Sequence, residues 1–134
     1  MSVRIVTDAI DKDEVVRSIT SDQTGAVVTF SGIVRQLESG NLEALEYQHY
    51  EEMALSEMEK IRSGALHKFD ILDMAIFHRI GILRIGEDSV FIAVSSRHRK
   101  DAFRACEFAI DRIKETVPIW KKDILAGGTH QWHD

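Results

Sequence analysis

The sequence has few of the residue types that would place it in a specialised class of protein. Cys106 is the single cysteine among 134 residues, which excludes an internal disulfide and a zinc site built from several cysteines. We therefore predict a reducing compartment, the cytoplasm, and a place in the core for Cys106. No segment approaches the roughly 20 consecutive apolar residues that a membrane-spanning helix needs. No apolar segment follows basic residues at the N-terminus, so we expect neither a signal peptide nor a membrane partner.

The signatures of common enzyme classes are missing as well. The sequence has no Walker loop, no GxGxxG, no HExxH and no GxSxG. We predict no metal and no cofactor. What is present is an ordinary globular composition, with 44% hydrophobic and 29% charged residues. A chain of this length can bury about two thirds of its unfolded surface, so we predict a single domain over residues 1–134.

Apolar periodicity predicts strands and helices in irregular order. Strands are predicted at 3–7, 25–34, 42–50, 71–79 and 88–96, and helices after Asp11 or Asp13, at 51–69, and up to Pro118. The strand at 25–34 is expected to be largely buried, with a bulge or a close backbone approach at Gly32. The strand at 42–50 is expected to pair back on it as a β-hairpin extension of an antiparallel sheet. This order is typical of an α+β fold.

Positive charge is concentrated between Ser95 and Lys122. This segment carries eight Lys or Arg residues and four Asp or Glu residues, a net charge of +4, in a chain whose formal net charge is −5. An acidic protein that gathers its positive charge in one segment is expected to bind an anion there. The alternative is a solvated helix face, which a run of charge alone favours.

Helical phase places one lysine of this segment at the margin of the predicted core. At about 100° per residue, the apolar arc of the long helix runs through Phe103, Cys106 and Ile113. Lys114 lies about 20° from Phe103, on one margin of that arc. A lysine at the edge of the core loses hydration, which favours the neutral amine that proton transfer needs, and Lys121 is expected to approach it. The alternative is a snorkelling lysine without a function.

Three other cationic side chains stand where predicted elements begin or end. Arg35 follows the strand at 25–34, while His98 and Arg99 lie between a strand and the long helix. Backbone amides at a helix start favour anions, so an imidazole and a guanidinium there predict a phosphate subsite. Phe108 falls on the polar face of the helix, which indicates a subunit contact.

Several segments resemble one known family. They read GAVVTFSGIVR, LEYQHYEEMA, HRIGILRIGEDSV, SSRHRKDAF and IDRIKETVPIWKKD, in unbroken order over about residues 25–132. They resemble the large, catalytic subunits of molybdopterin synthases. The resemblance implies an α/β hammerhead-type α+β fold and a transferase of molybdenum cofactor biosynthesis. It also implies a homodimer within a heterotetramer that carries a small ubiquitin-like sulfur-carrier subunit at each end.

The same resemblance implies a reaction and a set of residues. The carrier's C-terminal Gly-Gly thiocarboxylate would pass sulfur to cyclic pyranopterin monophosphate, and two rounds would form the dithiolene of molybdopterin. By motif, Lys114 and Lys121 are the expected catalytic residues. The expected substrate-binding residues are both lysines with Ile33, Val34, Arg35, His98, Arg99, Lys122 and Asp123. Some of these groups are expected to act across the dimer interface.

The residues alone leave a second class of function open, a non-catalytic module that binds an acidic protein tail or nucleic acid. The net charge of −5 disfavours nucleic acid, and so does the expectation that surface aromatic residues do not interleave with the basic ones. A non-catalytic relative would be expected to lose Lys114 and Lys121, and both are present. We therefore predict a sulfurtransferase without a nucleic-acid partner.

Overall fold

The computed structural model describes residues 2–128 and 130–133, and for residues 132 and 133 it describes the backbone only. This part of the chain forms eight strands and three helices. In order they are β1 (Val3–Val6), α1 (Lys12–Ile19), β2 (Ala26–Ile33), β3 (Leu42–His49), α2 (Glu51–Lys68), β4 (Asp73–Arg79), β5 (Gly81–Arg84), β6 (Asp88–Ser96), α3 (Arg99–Thr116), β7 (Ile119–Leu125) and β8 (His130–His133). None of the three helices is both long and apolar enough to cross a membrane, in the residues described.

The first sheet has the strand order β1-β4-β6-β2. Its central strands β4 and β6 are almost entirely buried, which explains why their sequences are continuous apolar runs. β1 pairs with β4 in parallel, and the other pairs are antiparallel. α2 and α3 cover one face, with Met58, Ile92 and Ala105 in the shared core. α1 covers the other face through Val15 and Ile19.

β2 is an edge strand of this sheet, and the prediction that it is largely buried is wrong. Val27 and Ile33 are 38% and 54% exposed, because α1 packs on β4 and β6 and leaves the outer side of β2 open. The predicted irregularity at Gly32 is confirmed, since the register with β6 shifts between Gly32 and Ile33. A Cβ atom on Gly32 would lie 2.5 Å from Val90 Cγ1, so this approach requires glycine.

The second sheet has the order β5-β3-β7-β8 and is antiparallel throughout. The predicted hairpin between residues 25–34 and 42–50 is wrong, because β2 pairs with β6 while β3 pairs with β5 and β7. Leu45 and Leu83 stand opposite each other in β3 and β5 and are buried together with Val34. The pairing is therefore decided by apolar partners that are distant in sequence. The α+β class is confirmed.

The helices begin and end near the predicted positions. Asp11 caps α1 by accepting a hydrogen bond from the Glu14 backbone N–H at 3.1 Å. In α2, Met58 is fully buried, whereas Met53 is 59% exposed. The buried face of α2 passes through Ala54 and Met58, and Met53 lies about 100° away from Ala54 around the helix axis.

α3 packs on the first sheet through small residues, with Ala102 and Ala105 fully buried. Phe103 is 59% exposed, although the periodicity placed it on the apolar arc, because the buried face is centred on these alanines. Phe108 is partly buried within the chain, 5.5 Å from the Phe69 ring, and the subunit contact expected for it stays a prediction. Cys106 is 5% exposed, as predicted for a core residue, and burial raises the pKa of its thiol to about 11.

Candidate active site

A cavity of about 630 Å³ lies between the two sheets at the C-terminal end of α3. Its walls come from the loop after β2, from the last turns of α3, and from β3 and β7. Six of the residues predicted for the site line this cavity: Ile33, Val34, Arg35, Lys114, Lys121 and Asp123. Elements that are far apart in sequence therefore bring both predicted catalytic lysines and one arginine to the same space.

Lys114 enters the cavity from the last turn of α3, beside Ile110 and Ile113. The helical phase therefore placed Lys114 on the side of α3 that lines the cavity. Lys114 is nevertheless exposed, so the predicted loss of hydration is not found within a single chain. The α3 dipole favours a cation at this end of the helix, where it faces the cavity.

β7 divides its charged residues between two faces. Lys121 and Asp123 are two residues apart and both line the cavity, and Asp123 is only 2% exposed. Lys122 points to the other face, where its Nζ atom lies 3.2 Å from a carboxylate oxygen of Glu46 on β3. The structure thus brings Lys121 and Asp123 to the cavity, whereas the resemblance also predicted Lys122 there.

Arg35 extends from a backbone segment that is held on both sides. The Val34 N–H donates to the Glu87 carbonyl at 3.0 Å, and the Val34 carbonyl accepts from the Gly86 N–H at 2.8 Å. The Val34 side chain is 3% exposed and packs with Leu45. This anchoring fixes the point from which the exposed Arg35 guanidinium reaches the cavity.

The floor of the cavity holds polar side chains that were not predicted, Tyr47, His78 and Ser89. His78 is 6% exposed, and burial, opposed by its hydrogen bond to the Arg79 carbonyl at 2.8 Å and assisted by nearby His49, lowers its pKa to about 4. It is therefore a neutral imidazole at neutral pH. Because a carbonyl can only accept, Nδ1 carries the imidazole proton.

The three unpredicted residues come from β3, β4 and β6, and only the fold brings them together. One signal was available in the LEALEYQHY run. Tyr47 comes two residues after the apolar Leu45, so both side chains are expected on the same, inward face of the strand. His78 and Ser89 lie in or beside continuous apolar runs, where a polar residue is uncommon and therefore informative.

His98 and Arg99 lie in a second, more open depression at the opposite end of α3, lined also by Gly25, Ala26, Arg97, Lys100, Phe103 and Arg104. His98 is the N-cap residue of α3, and its side chain makes no capping hydrogen bond. The backbone of Arg97, which precedes His98, packs closely against Gly25. Only glycine fits at position 25, since a Cβ atom there would lie 2.2 Å from the Arg97 carbonyl oxygen. Cations and a helix N-terminus together form a surface suited to an anion.

The two sets of predicted residues do not meet within one chain. Arg99 is the first residue of α3 and Lys114 lies in its last turn, so about 22 Å of helix axis separates them at the usual rise per residue. That is longer than a pterin phosphate. A single chain therefore presents one walled cavity with two lysines and, well apart from it, one open basic depression.

An α+β protein whose cavity collects lysines, an arginine and a buried carboxylate has the make-up of a group-transfer enzyme for an anionic substrate. Comparison with known proteins identifies which one: residues 5–116 match the family described as MoaE protein, and the chain belongs to that family. The predicted family is therefore confirmed.

Named relatives cover nearly the whole chain. A molybdopterin synthase catalytic subunit of Thermoplasma volcanium is 45% identical over 132 residues, 98% of this chain and 96% of that protein. The subunit of the same name from Bacillus subtilis is 44% identical over 124 residues, which are 92% of this chain and 78% of that protein.

Solved structures share the fold as well. The molybdopterin synthase structure from Staphylococcus aureus superimposes with a TM-score of 0.92 at 43% identity, over 97% of this chain and 95% of that one. A complex of subunits 1 and 2 of molybdopterin-converting factor from Helicobacter pylori contains a chain that superimposes with a TM-score of 0.85 at 25% identity. The match covers 100% of this chain and 91% of that one.

Proposed function

We infer that this chain is the catalytic subunit of a molybdopterin synthase, a sulfur-transferring enzyme of molybdenum cofactor biosynthesis. The family and the names of the relatives support this activity, which the sequence predicted. The observation that carries the proposal is the single cavity that holds Lys114, Lys121 and Arg35 beside Asp123. Its sulfur donor would be the Gly-Gly thiocarboxylate of a small ubiquitin-like carrier, and its acceptor cyclic pyranopterin monophosphate.

The charges of the cavity suit this chemistry. Both the thiocarboxylate and the cyclic phosphate are anions, and a concave cationic site concentrates them. As sulfur bonds to the pterin side chain and the cyclic phosphate opens, Lys114 would donate or accept the proton that moves. Lys121 and Arg35 would stabilise the negative charge that develops on oxygen.

His98 and Arg99, the pair expected to bind the substrate's phosphate, lie outside the cavity of their own chain. We propose that a second copy of the chain brings its His98 and Arg99 to the mouth of the cavity, as a homodimer within a heterotetramer with two carriers. Three features support an interface there: the 22 Å between the two basic sites, the open edge of β2, and the 59% exposed Phe103 ring on the basic depression. The two-subunit complex from Helicobacter pylori supports a separate small-subunit partner.

Reconstitution tests the activity directly. The purified chain, a carrier whose thiocarboxylate has been verified by mass, and the cyclic pterin substrate should yield the dithiolene product, detected by mass spectrometry. Carrier with an ordinary carboxylate terminus is the matched control and should yield none. If verified carrier gives no product, the chain is instead a non-catalytic module that binds an acidic tail.

Subunit mixing tests the shared site. With the cyclic pterin substrate held well below the wild-type KM, Lys114→Ala chains and His98→Ala/Arg99→Ala chains should each have little activity alone. After exchange of subunits, half of the dimers would combine one chain of each kind and hold one intact site of two, which restores about one quarter of wild-type activity. No recovery, with exchange verified by mass, would place all the residues of a site in one chain.

The compartment and domain organisation stay predictions. The one cysteine of the sequence, free and buried, is consistent with the reducing cytoplasm. We propose that residues 1–134 act as one domain. Limited proteolysis would test this, since a single domain should lose terminal residues first and show no internal cleavage that releases a stable half.

A further inference from the structure

Tyr47 stands directly opposite Lys121 in the antiparallel β3–β7 pair. Residues paired in this way put their Cβ atoms about 5 Å apart on the same face of the sheet. Both residues line the cavity, and Asp123, two residues further along β7, lines it on that face as well. Tyr47 is therefore the cross-strand neighbour of a lysine that the proposed function places at the reaction centre.

The ring and the hydroxyl of Tyr47 are each held by the other sheet. Its ring meets the His78 ring edge to face, with 5.2 Å between centroids and 66° between planes. Its hydroxyl lies beside the Ser89 side chain, close enough to share a hydrogen bond with it. Ser89 Oγ in turn donates to the Gly32 carbonyl at 3.1 Å, at the bulge that precedes Arg35. Tyr47 thus connects the strand of Lys121 to the strand end that carries Arg35.

The hydrogen-bond inventory fixes the direction of this chain. A serine hydroxyl has one proton, and the Ser89 proton goes to Gly32, whose carbonyl can only accept. Ser89 therefore accepts the Tyr47 proton. The lone pairs of the phenol oxygen remain as acceptors, and the Lys121 ammonium opposite has donors only. Donor and acceptor are complementary across the strand pair.

The phenol keeps its proton near neutral pH. Burial is the largest cause that raises the pKa of Tyr47, and the Asp123 carboxylate raises it further. A neutral phenol can accept from a cation without cancelling its charge. Lysine has a flexible four-carbon stem, so a rigid acceptor beside it limits the positions that the ammonium takes.

We propose that Tyr47 is a positioning residue for the sulfur-transfer reaction: its phenol oxygen, fixed by Ser89 and His78, accepts a hydrogen bond from Lys121 and aims that ammonium at the reacting anion. The proposal rests on the proposed function. It concerns orientation of a group already in the cavity, so it predicts a change in the rate of the bound complex more than in affinity.

The test compares Tyr47→Phe with wild type in steady-state reactions, with thiocarboxylated carrier and cyclic pterin substrate. Phenylalanine keeps the ring that meets His78 and removes only the hydroxyl. We expect kcat to fall about 10-fold, the value of a hydrogen bond to a charged group, with KM within about 2-fold. Tyr50→Phe is the matched control, because Tyr50 is 65% exposed and does not line the cavity, and it should keep wild-type kcat.

A double-mutant cycle separates positioning from simple support of the fold. In a Lys121→Ala background, measured with enzyme in excess, Tyr47→Phe should have almost no further effect, because the group that it orients is gone. Ser89→Ala should also lower kcat, but by a smaller factor than Tyr47→Phe does. Wild-type kcat in Tyr47→Phe, or losses that simply multiply in the double variant, would overturn the proposal.

The wild-type chain in the same assay keeps this outcome apart from failure of the proposed function. If wild type makes no product, the activity itself is wrong. If wild type is active and Tyr47→Phe is equally active, only the role of Tyr47 is wrong. A change in KM alone would assign Tyr47 to substrate binding and would also overturn the positioning role.

Discussion

The two ends of α3 hold their cations in different surroundings. At the C-terminal end, Lys114 and Lys121 share a walled cavity with Asp123, which is 2% exposed. At the N-terminal end, His98 and Arg99 stand on an open depression formed with other basic residues. The cations at one end of α3 therefore lie beside buried polar groups, and those at the other end lie on an open, solvated surface.

This difference separates two tasks. Charges beside buried polar groups in a walled cavity have neighbours of fixed position, which suits proton transfer and stabilisation of developing charge. Charges in solvent attract anions over a distance and are screened by salt, which suits capture of substrate. The following predictions test that division.

The largest effect is expected at the walled end. Lys114→Ala should lower kcat by about 100-fold or more, since general acid–base groups contribute at least that much. The reconstituted assay measures it. Lys60→Ala is a suitable control, because Lys60 is an exposed residue of α2 that pairs with Glu57 at 3.3 Å. Near-normal product formation by Lys114→Ala would remove Lys114 from the reaction.

The second prediction uses the histidine of the walled end. His78 has a folded pKa of about 4, lowered from 6.5, so the unfolded chain takes up its proton first as the pH falls. The contribution of neutral His78 to stability is complete above pH 6.5 and is lost between pH 6.5 and 4. From pH 7 to 5, wild type should lose about 2 kcal/mol more unfolding free energy than His78→Phe.

Urea unfolding of both proteins at the two pH values, at one protomer concentration, measures this difference. Phenylalanine preserves an aromatic ring beside Tyr47 and removes only the titrating group. Parallel loss of stability in both proteins would mean that His78 takes up its proton equally well in the folded state.

A smaller effect is expected at the open end. His98→Ala/Arg99→Ala should raise KM for the cyclic pterin substrate about 10-fold, with a smaller change in kcat and a weaker dependence on salt, because exposed cations act mainly on capture. Arg17→Ala, an exposed arginine of α1, should leave KM unchanged. A loss confined to kcat would assign the pair to chemistry and abolish the division between the two ends.

The smallest effect is expected for Lys122→Ala, below about 2-fold in kcat, because a partly exposed ion pair contributes little. Lys121→Ala is its matched partner, with the same change of charge one residue away but on the cavity face. Equal losses in the two variants would show that Lys122 also acts on the substrate, as the resemblance implies.

Local patterns predicted what depends on local structure. The phase of α3 gave the burial of Cys106 and Ile113 and put Lys114 on the correct wall. The phase failed for Phe103. Periodicity shows that the helix has an apolar face, but it does not show which residues lie at the centre of that face, and the sheet packs closest against the small alanines instead. Asp11 was found as a cap because capping needs only the following turn.

Contacts between distant segments were not predictable from such patterns. The hairpin of residues 25–34 and 42–50 failed because β3 finds its apolar partner, Leu83, nearly forty residues further along the chain. Tyr47, His78 and Ser89 were missed for the same reason, since three strands from two sheets bring them together. The sequence motifs were enough to predict the two lysines, but the polar residues that surround them could be identified only from the fold.

Cys106 has a consequence for how sulfur moves. At a pKa of about 11 only about one thiol in ten thousand is a thiolate at pH 7, and the side chain is 5% exposed. Cys106 is therefore poorly suited to carry sulfur as a persulfide, and under the proposed function each sulfur atom would arrive on its own carrier. Two carriers would then dock in turn for every dithiolene, so the intermediate that holds one sulfur would have to stay bound for longer than one carrier takes to replace another.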